Sequence, residues 1–458
     1  MTATSPEEIV AGLRSSFRSQ RTHALDWRRG QLRALRQMLV DHEQALIEAL
    51  HQDLGKPPLE SFVTEIGLVR SEIDHALGHL QRWTRGERVQ VPMSLQPARA
   101  RVVPQPLGVV LVIAPWNYPL QLLLAPLCGA LAAGNCVLLK PSELAPATSR
   151  VIARLIPEYL DNGAIAVVEG DADTAAALLQ QRFDHVFFTG GARVARIVAA
   201  AAARHLCPVT LELGGKCPAI VSDGNMAAIA RRIVHGKFLN AGQTCVAPDH
   251  LLVVDTVADD LLRGLRQALL EFFGKDPSTS ADYGRIVDER HFDRLVGALA
   301  GAEVVLGGQH DRKQRYIAPT VVLEPDAGSV LMEEEIFGPI LPFIRVVDVS
   351  AAITRIAEGP PPLAAYVFTR RAPVQRAVED GVRAGAIGVN ACAAHLAVPG
   401  LPFGGVGESG SGRYHGKYSF DTFSQLRPVF SKGTLVDTLR FAYPPYSRLK
   451  ARLLRKLF

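Results

Sequence analysis

The thirty-eight residues between Arg101 and Lys140 include no charged side chain, and any fold for this chain must bury them. A membrane span would account for the gap, but Pro104, Pro106, Pro115, Pro119 and Pro126, with Asn117 and Asn135, interrupt it too often. Val109-Val-Leu-Val-Ile113 reads instead as a strand buried on both faces. A turn, Ala114-Pro-Trp-Asn-Tyr-Pro119, follows it; a helix begins at Leu120 and stops at Gly134-Asn135, and Cys136-Val-Leu-Leu-Lys140 is a second strand. Such a unit makes a parallel pair with a right-handed crossover.

The alternation continues. Strands are predicted at Ile165 to Glu169, His185 to Phe188 and Val209 to Leu213, with helices between them. That is an open α/β sheet, whose ligands sit beyond the carboxyl ends of the strands, where Asn117, Lys140, Thr189 and Glu212 all fall. From Pro218 the pattern repeats: strands Ala219 to Val221 and Leu251 to Val254, helices Met226 to Leu239 and Asp259 to Phe273, and a later strand Ala365 to Thr369, hence a second α/β domain. Upstream, residues 5 to 53 read as two helices with an apolar stripe through Leu32, Leu35, Met38, Leu39, Leu46 and Leu50 and arginines on solvated faces. A further helix runs from Leu59 to Arg82. Residues 88 to 104 alternate as two short strands, an exposed hairpin that needs a partner.

A length of 458 residues, 48% apolar and 21% charged, fits a soluble enzyme of two or three domains. The six cysteines, Cys128, Cys136, Cys207, Cys217, Cys245 and Cys392, form no C-x-x-C pair and no disulfide framework, so a reducing, cytoplasmic location is expected. The opening residues show no basic-then-apolar pattern, and no secretory signal is expected. The net charge of +5 is carried by the last twelve residues, which hold five basic groups and no acid; the body is neutral and gives no footprint for nucleic acid. In that tail Leu449, Leu453 and Leu457 are four apart. An amphipathic helix on an anionic membrane or on another subunit fits this spacing, and so does a disordered basic tail.

Two segments carry the chemistry. Glu212-Leu-Gly-Gly-Lys216 puts a carboxylate where a strand stops, and Asn240-Ala-Gly-Gln-Thr-Cys245-Val-Ala-Pro-Asp249 displays one thiol among small and amide side chains. A thiol is only slightly ionised at neutral pH, so a nucleophilic Cys245 needs a helix N-terminus, a cation or a base such as Glu212. Taken singly, a buried cysteine is more often a small hydrophobe and a glutamate a solvated charge. A literal G-x-G-x-x-G, Gly405 to Gly410, neither follows a strand nor opens a helix and is rejected; Phe188-Thr-Gly-Gly-Ala-Arg-Val-Ala195 does both. No P-loop, H-E-x-x-H, G-x-S-x-G or metal-ligand spacing occurs, so phosphoryl transfer, serine hydrolysis and a metal site lack support.

Together, Pro115-Trp-Asn-Tyr-Pro-Leu120, Lys140-Pro-Ser-Glu143, Phe188-Thr-Gly190, Glu212-Leu-Gly-Gly-Lys216, Gly242-Gln-Thr-Cys245 and Glu334-Glu-Ile-Phe-Gly-Pro339 resemble the signatures of the aldehyde dehydrogenase superfamily, in order and spacing. The stretch from Leu401-Pro-Phe-Gly-Gly-Val-Gly through Gly412 to Phe423 resembles its class 3 branch of fatty and aromatic aldehyde enzymes. The resemblance implies a Rossmann-type NAD(P)-binding domain (1–81 and 105–212), an α/β catalytic domain (213–414), a bridging β element that oligomerises (82–104 and 415–446) and a basic tail (447–458). It implies NAD(P)-dependent oxidation of medium-chain, long-chain or aromatic aldehydes to acids by a homodimer. Cys245 would be the nucleophile, Asn117 the oxyanion donor and Glu212 the base that hydrolyses the thioester. Lys140 and Glu143 would hold the adenosine ribose, Glu335 the nicotinamide ribose and Phe337 the nicotinamide ring, with Trp116, Thr189, Gly190, Gly191 and Leu213 also around the cofactor. Gly191 stands where the family commonly has serine, which leaves NAD and NADP both open, and Cys217 and Cys392 read as structural thiols. A coenzyme A-acylating enzyme or reductase would not need Glu212, and a binding protein that had lost activity would not keep Cys245, Glu212 and Asn117 together.

Overall fold

The computed structural model describes residues 5–457, leaving outside them part of the opening stretch read for a signal; the side chains of Leu453 and Leu457 are likewise outside the described residues. The charge-free stretch forms the centre of the structure. Strands Val109–Ile113 and Cys136–Lys140 are buried at every position, and so is the helix Gln121–Ala133 between them. A helix apolar on all sides can only be interior. The two strands pair in parallel, Val109 opposite Cys136 and Ile113 opposite Lys140.

They belong to a six-stranded sheet ordered Gly410–Ser411, Val209–Glu212, His185–Thr189, Val109–Ile113, Cys136–Lys140, Ile165–Val167. The chain builds outward from Val109–Ile113 through Cys136–Lys140 to Ile165–Val167, then returns to place His185–Thr189 on the opposite side. Strand order therefore reverses between Val109–Ile113 and His185–Thr189, and a crevice opens beyond their carboxyl ends at such a point. Gly410–Ser411, from the rejected glycine motif, runs antiparallel along Val209–Glu212 and covers that edge. Its middle is a short 3₁₀ turn, Gly407–Ser409, and opens no long helix.

A seven-stranded sheet, parallel except for one outer pair, holds Glu303–Leu306, Thr320–Leu323, Ile340–Val346, His250–Val254, Pro218–Val221, Ala364–Phe368 and Ala386–Val389 in that order. A third, antiparallel sheet joins Glu87–Val89, Ala98–Pro106 and Ser424–Lys432; the last pairs over nine residues with Ala98–Pro106 and leaves its outer edge unpaired among the described residues.

The first 54 residues depart from expectation. Three helices, Pro6–Arg18, Leu25–Asp41 and Glu43–Leu54, stand where two were read. The chain breaks at His42 (φ −117°, ψ 21°) without glycine or proline, and the apolar stripe crosses the break unaltered. Arg28 is not solvated either: buried, it donates to the carbonyls of Thr22 and Ala132 and so holds the C-terminal end of the central helix, where carbonyls lack partners.

Candidate functional site

The turn after Val109–Ile113 and the loop before Cys245 are stitched together. The Asn117 carboxamide donates to the Gln243 carbonyl at 3.0 Å, the Asn240 amide donates to the Asn117 carbonyl at 2.8 Å, and the Tyr118 and Thr244 hydroxyls lie 2.6 Å apart. The loop needs this support. Asn240, Ala241 and Gly242 occupy the left-handed region consecutively, with φ of 52°, 51° and 76°, and for alanine that costs about 1–2 kcal/mol. Glycine is required at 242, since a Cβ there would strike the Gly338 carbonyl.

Beneath Asn117 lies an ion pair the sequence reading passed over. Lys56 and Glu65, both without exposed side-chain surface, bond to each other. Lys56 also reaches the Asn117 carbonyl at 3.3 Å, and Glu65 accepts from the backbone N–H groups of Leu120 and Gln121 at 2.9 and 3.2 Å. The pair anchors the start of the central helix to the turn that carries Asn117, and removing one partner would strand the other charge at a cost on the order of 3–5 kcal/mol.

Glu212 ends its strand almost fully buried, with Oε1 free of any hydrogen-bond partner in the described structure. Burial pushes its carboxyl well above the usual range, opposed only by Arg413. Cys245 touches the cavity yet sits in low-dielectric surroundings: burial raises its thiol pKa, and the charges of Glu212 and Glu335 raise it further. The expected cation is not among these influences. At rest the nucleophile candidate is a protonated thiol facing an unpartnered carboxyl.

Cys245 lines a cavity of about 580 Å³ whose walls are mainly apolar, among them Leu68, Leu122, Leu239, Val246 and Phe403. Cys392 lines it as well, while Cys217 lies behind Cys245, its thiol 3.2 Å from the Cys245 carbonyl.

Beyond Glu212 lies a second crevice, of about 570 Å³, lined by Gly191, Gly214, Gly215, Lys216, Glu335 and neighbours. Of the expected cofactor residues, Gly191 and Glu335 line it directly. Trp116 and Phe337 stack edge-on with centroids 5.4 Å apart, and Gly190 bonds to the Glu212 carbonyl. Leu213 donates to Ser409 at 3.2 Å. Thr189 is buried with its hydroxyl unpartnered, and Lys140 lies buried one strand over, 3.4 Å from the exposed Glu143. Burial lifts Glu335 to about 8, and a Cβ at Gly214 would collide with its carboxylate. The Lys216 ammonium donates to Asp249 and to the carbonyls of Leu331 and Glu334, while Asp249 accepts from the Ile336 N–H at 2.8 Å. This clamp fixes the loop carrying Glu335 and Phe337; its two residues were visible in the motifs, but their partner lies far off in sequence.

The crevice suits a dinucleotide. The helix Ala192–Ala203 opens at Gly191 with no side-chain cap, leaving its first N–H groups for a pyrophosphate, and the Glu335 carboxylate can accept from a ribose diol.

The model of the aldehyde dehydrogenase family matches residues 1–429. The chain is 46% identical over 455 residues to aldehyde dehydrogenase family 3 member H1 of Arabidopsis thaliana, covering 98% of this chain and 94% of that protein. It is 44% identical to family 3 member B1 of Rattus norvegicus, covering 98% and 96%. Among solved structures, a substrate-bound AldH of Staphylococcus aureus superposes with a TM-score of 0.96 at 43% identity over 99% of both chains. An aldehyde dehydrogenase of Mycobacterium tuberculosis in complex with NAD+ does so at 0.85 and 29%, over 93% and 90%.

Proposed function

The chain belongs to the aldehyde dehydrogenase family and oxidises aldehydes with NAD or NADP, and on that premise we propose which of its residues carry the reaction and which aldehydes it takes. Cys245 loses its proton to solvent water and its sulfur attacks the aldehyde carbon, so that the carbonyl oxygen becomes an oxyanion. The Asn117 carboxamide and the Cys245 backbone N–H receive that charge, a role worth about 3–4 kcal/mol per donor. NAD(P), when bound, supplies the acceptor for the hydride that leaves this carbon. The sulfur is then held in a thioester. Glu212, in its ionised form, takes a proton from water as the water attacks the thioester carbon; the carbon–sulfur bond breaks and Cys245 recovers its proton as the acid departs.

The observation that supports this reading is convergence: the Asn117 turn is bonded to the loop that carries Cys245, and the charge of Glu212, whose Oε1 has no partner among the described residues, raises the pKa of the same thiol. Lys140 and Glu143 would hold the adenosine ribose, Glu335 the other ribose and Phe337 the nicotinamide ring. Trp116, Thr189, Gly190, Gly191 and Leu213 would complete the cofactor surround. A wall of leucine, valine and phenylalanine supports apolar substrates, medium-chain, long-chain or aromatic.

The proposed division is a cofactor domain of residues 1–81 and 105–212, a catalytic domain of 213–414 and a bridging element of 82–104 and 415–446. The last would build a homodimer, since the Ser424–Lys432 edge is open and exposes Leu426 and Phe430. Six unpaired cysteines favour the cytoplasm. No described helix is long and apolar enough to cross a membrane. The basic helix Arg448–Leu457, with Leu449 exposed, supports peripheral contact with an anionic surface. The test is reduced-cofactor formation with hexanal, dodecanal and benzaldehyde, with and without coenzyme A. Turnover without coenzyme A is expected, and turnover only with it would overturn hydrolysis by Glu212.

A further inference from the structure

The catalytic cavity shares one wall with a second cavity. Val63, Thr64, His235 and Leu239 line it on one side and, on the other, line a second cavity of about 440 Å³. The second cavity is floored by Phe238, Phe272 and Phe273, with Leu59 at its lip, and its carboxylates, Glu60 and Asp282, accompany a surface that is otherwise largely apolar. Glu60 accepts from the Asn240 N–H at 2.9 Å, so it is tied to the nucleophile loop. Between the two compartments the backbone is irregular: Phe62–Ile66 is a single π turn set between the helices Pro58–Ser61 and Gly67–Thr84. A π turn inserts an extra residue and turns side chains out of the helical register, here placing Val63 and Thr64 at the shared boundary.

Two side chains are out of place unless something covers them. Leu59 is 74% exposed and Val63 54% exposed, both in the helical stretch beside this opening. An aldehyde anchored at Cys245 that outgrew the first cavity would meet this boundary next.

We propose that the second cavity is a binding site for the distal segment of a long straight-chain aldehyde, with Leu59, Val63, Phe272 and Phe273 as its length-selecting residues. The proposal rests on the dehydrogenase reading above and adds where the tail goes. The occupant is an alkyl chain because the site borders the cavity that holds the reactive thiol across Val63, Thr64, His235 and Leu239 and offers apolar contact along its floor. Each methylene that leaves water there gains about 0.8 kcal/mol, or about fourfold in kcat/KM.

The experiment is a chain-length series, hexanal to tetradecanal, with benzaldehyde as the short reference, on the full chain and on Leu59→Glu and Leu59→Ala. The wild-type kcat/KM should keep rising beyond octanal. Leu59→Glu puts a carboxylate at the lip of the second cavity, outside the catalytic one; it should lower kcat/KM for dodecanal and tetradecanal by about fifteenfold, mainly through KM, the worth of about two buried methylenes. Hexanal and benzaldehyde should stay within about twofold, as for a distant independent site, and Leu59→Ala should fall between. A wild-type series that levels off at octanal, or a Leu59→Glu variant that loses all substrates equally, would overturn the site while hexanal turnover still upholds the dehydrogenase. No turnover with any aldehyde would overturn the reading beneath it.

Discussion

The cavity lined by Cys245 and the crevice lined by Gly214 and Glu335 are nearly equal in volume, about 580 and 570 Å³, and differ in chemistry. The first is walled by leucines, valines and aromatic rings. The second gathers Lys216, Glu333, Glu335, Arg355 and Glu408 around glycine backbone. An apolar wall recognises by area, so each change in it shifts affinity by a graded amount. A polar wall recognises through single contacts, so losing one is a discrete loss. On the proposed assignment, the first would tolerate variety in the aldehyde and the second would fix the geometry of the cofactor.

Removing the thiol should have the largest effect. Cys245→Ala is expected to abolish turnover, by on the order of 10⁴-fold or more, while cofactor binding followed by fluorescence quenching persists; retained oxidation would separate the thiol from both crevices. Glu212→Gln should slow steady-state turnover by on the order of 10²–10⁴ and leave the first turnover's burst of reduced cofactor in place. Loss of the burst would move Glu212 from hydrolysis to the earlier step.

Acidity sharpens the contrast, because the two groups displaced upward by burial, the Glu212 carboxyl and the Cys245 thiol, would both act in their deprotonated forms in the proposed reaction. Those forms become scarce as pH falls. Turnover should therefore fall by about tenfold per pH unit on the acid limb and climb toward alkaline pH, and a profile with its optimum below neutrality would contradict the assignment. The smallest effect belongs to the clamp. Lys216→Met frees the Glu335–Phe337 loop and should raise the KM for cofactor by about tenfold, the worth of one charged hydrogen bond, with the KM for hexanal unmoved. A larger change for aldehyde than for cofactor would place Lys216 on the other side.

The centre of the fold was legible because its signals were unmixed. Val109–Ile113 and Cys136–Lys140 are wholly apolar runs bounded by Gly108, Pro115, Gly134 and a charged lysine, and both appear with the bounds read from sequence. The helix count upstream was not, since the break at His42 carries no glycine or proline and the stripe from Leu39 to Leu46 passes through it. Buried charge was the harder failure. Lys56, Glu65 and Arg28 look like solvated residues in the sequence, and only the tertiary partners, Asn117, Leu120 and Ala132, reveal their work. The motif residues Glu212, Cys245 and Asn117 could be named from local strings. The paths of the two cavities could not, because their walls are drawn from segments as far apart as Val63, Leu239 and Phe403.

The most direct test of the central claim is intact-protein and peptide mass spectrometry of Glu212→Gln, quenched during turnover of dodecanal with NAD+. The account predicts a dodecanoyl thioester on the peptide carrying Cys245, lost on treatment with hydroxylamine. An unmodified Cys245 alongside continued formation of reduced cofactor would contradict it.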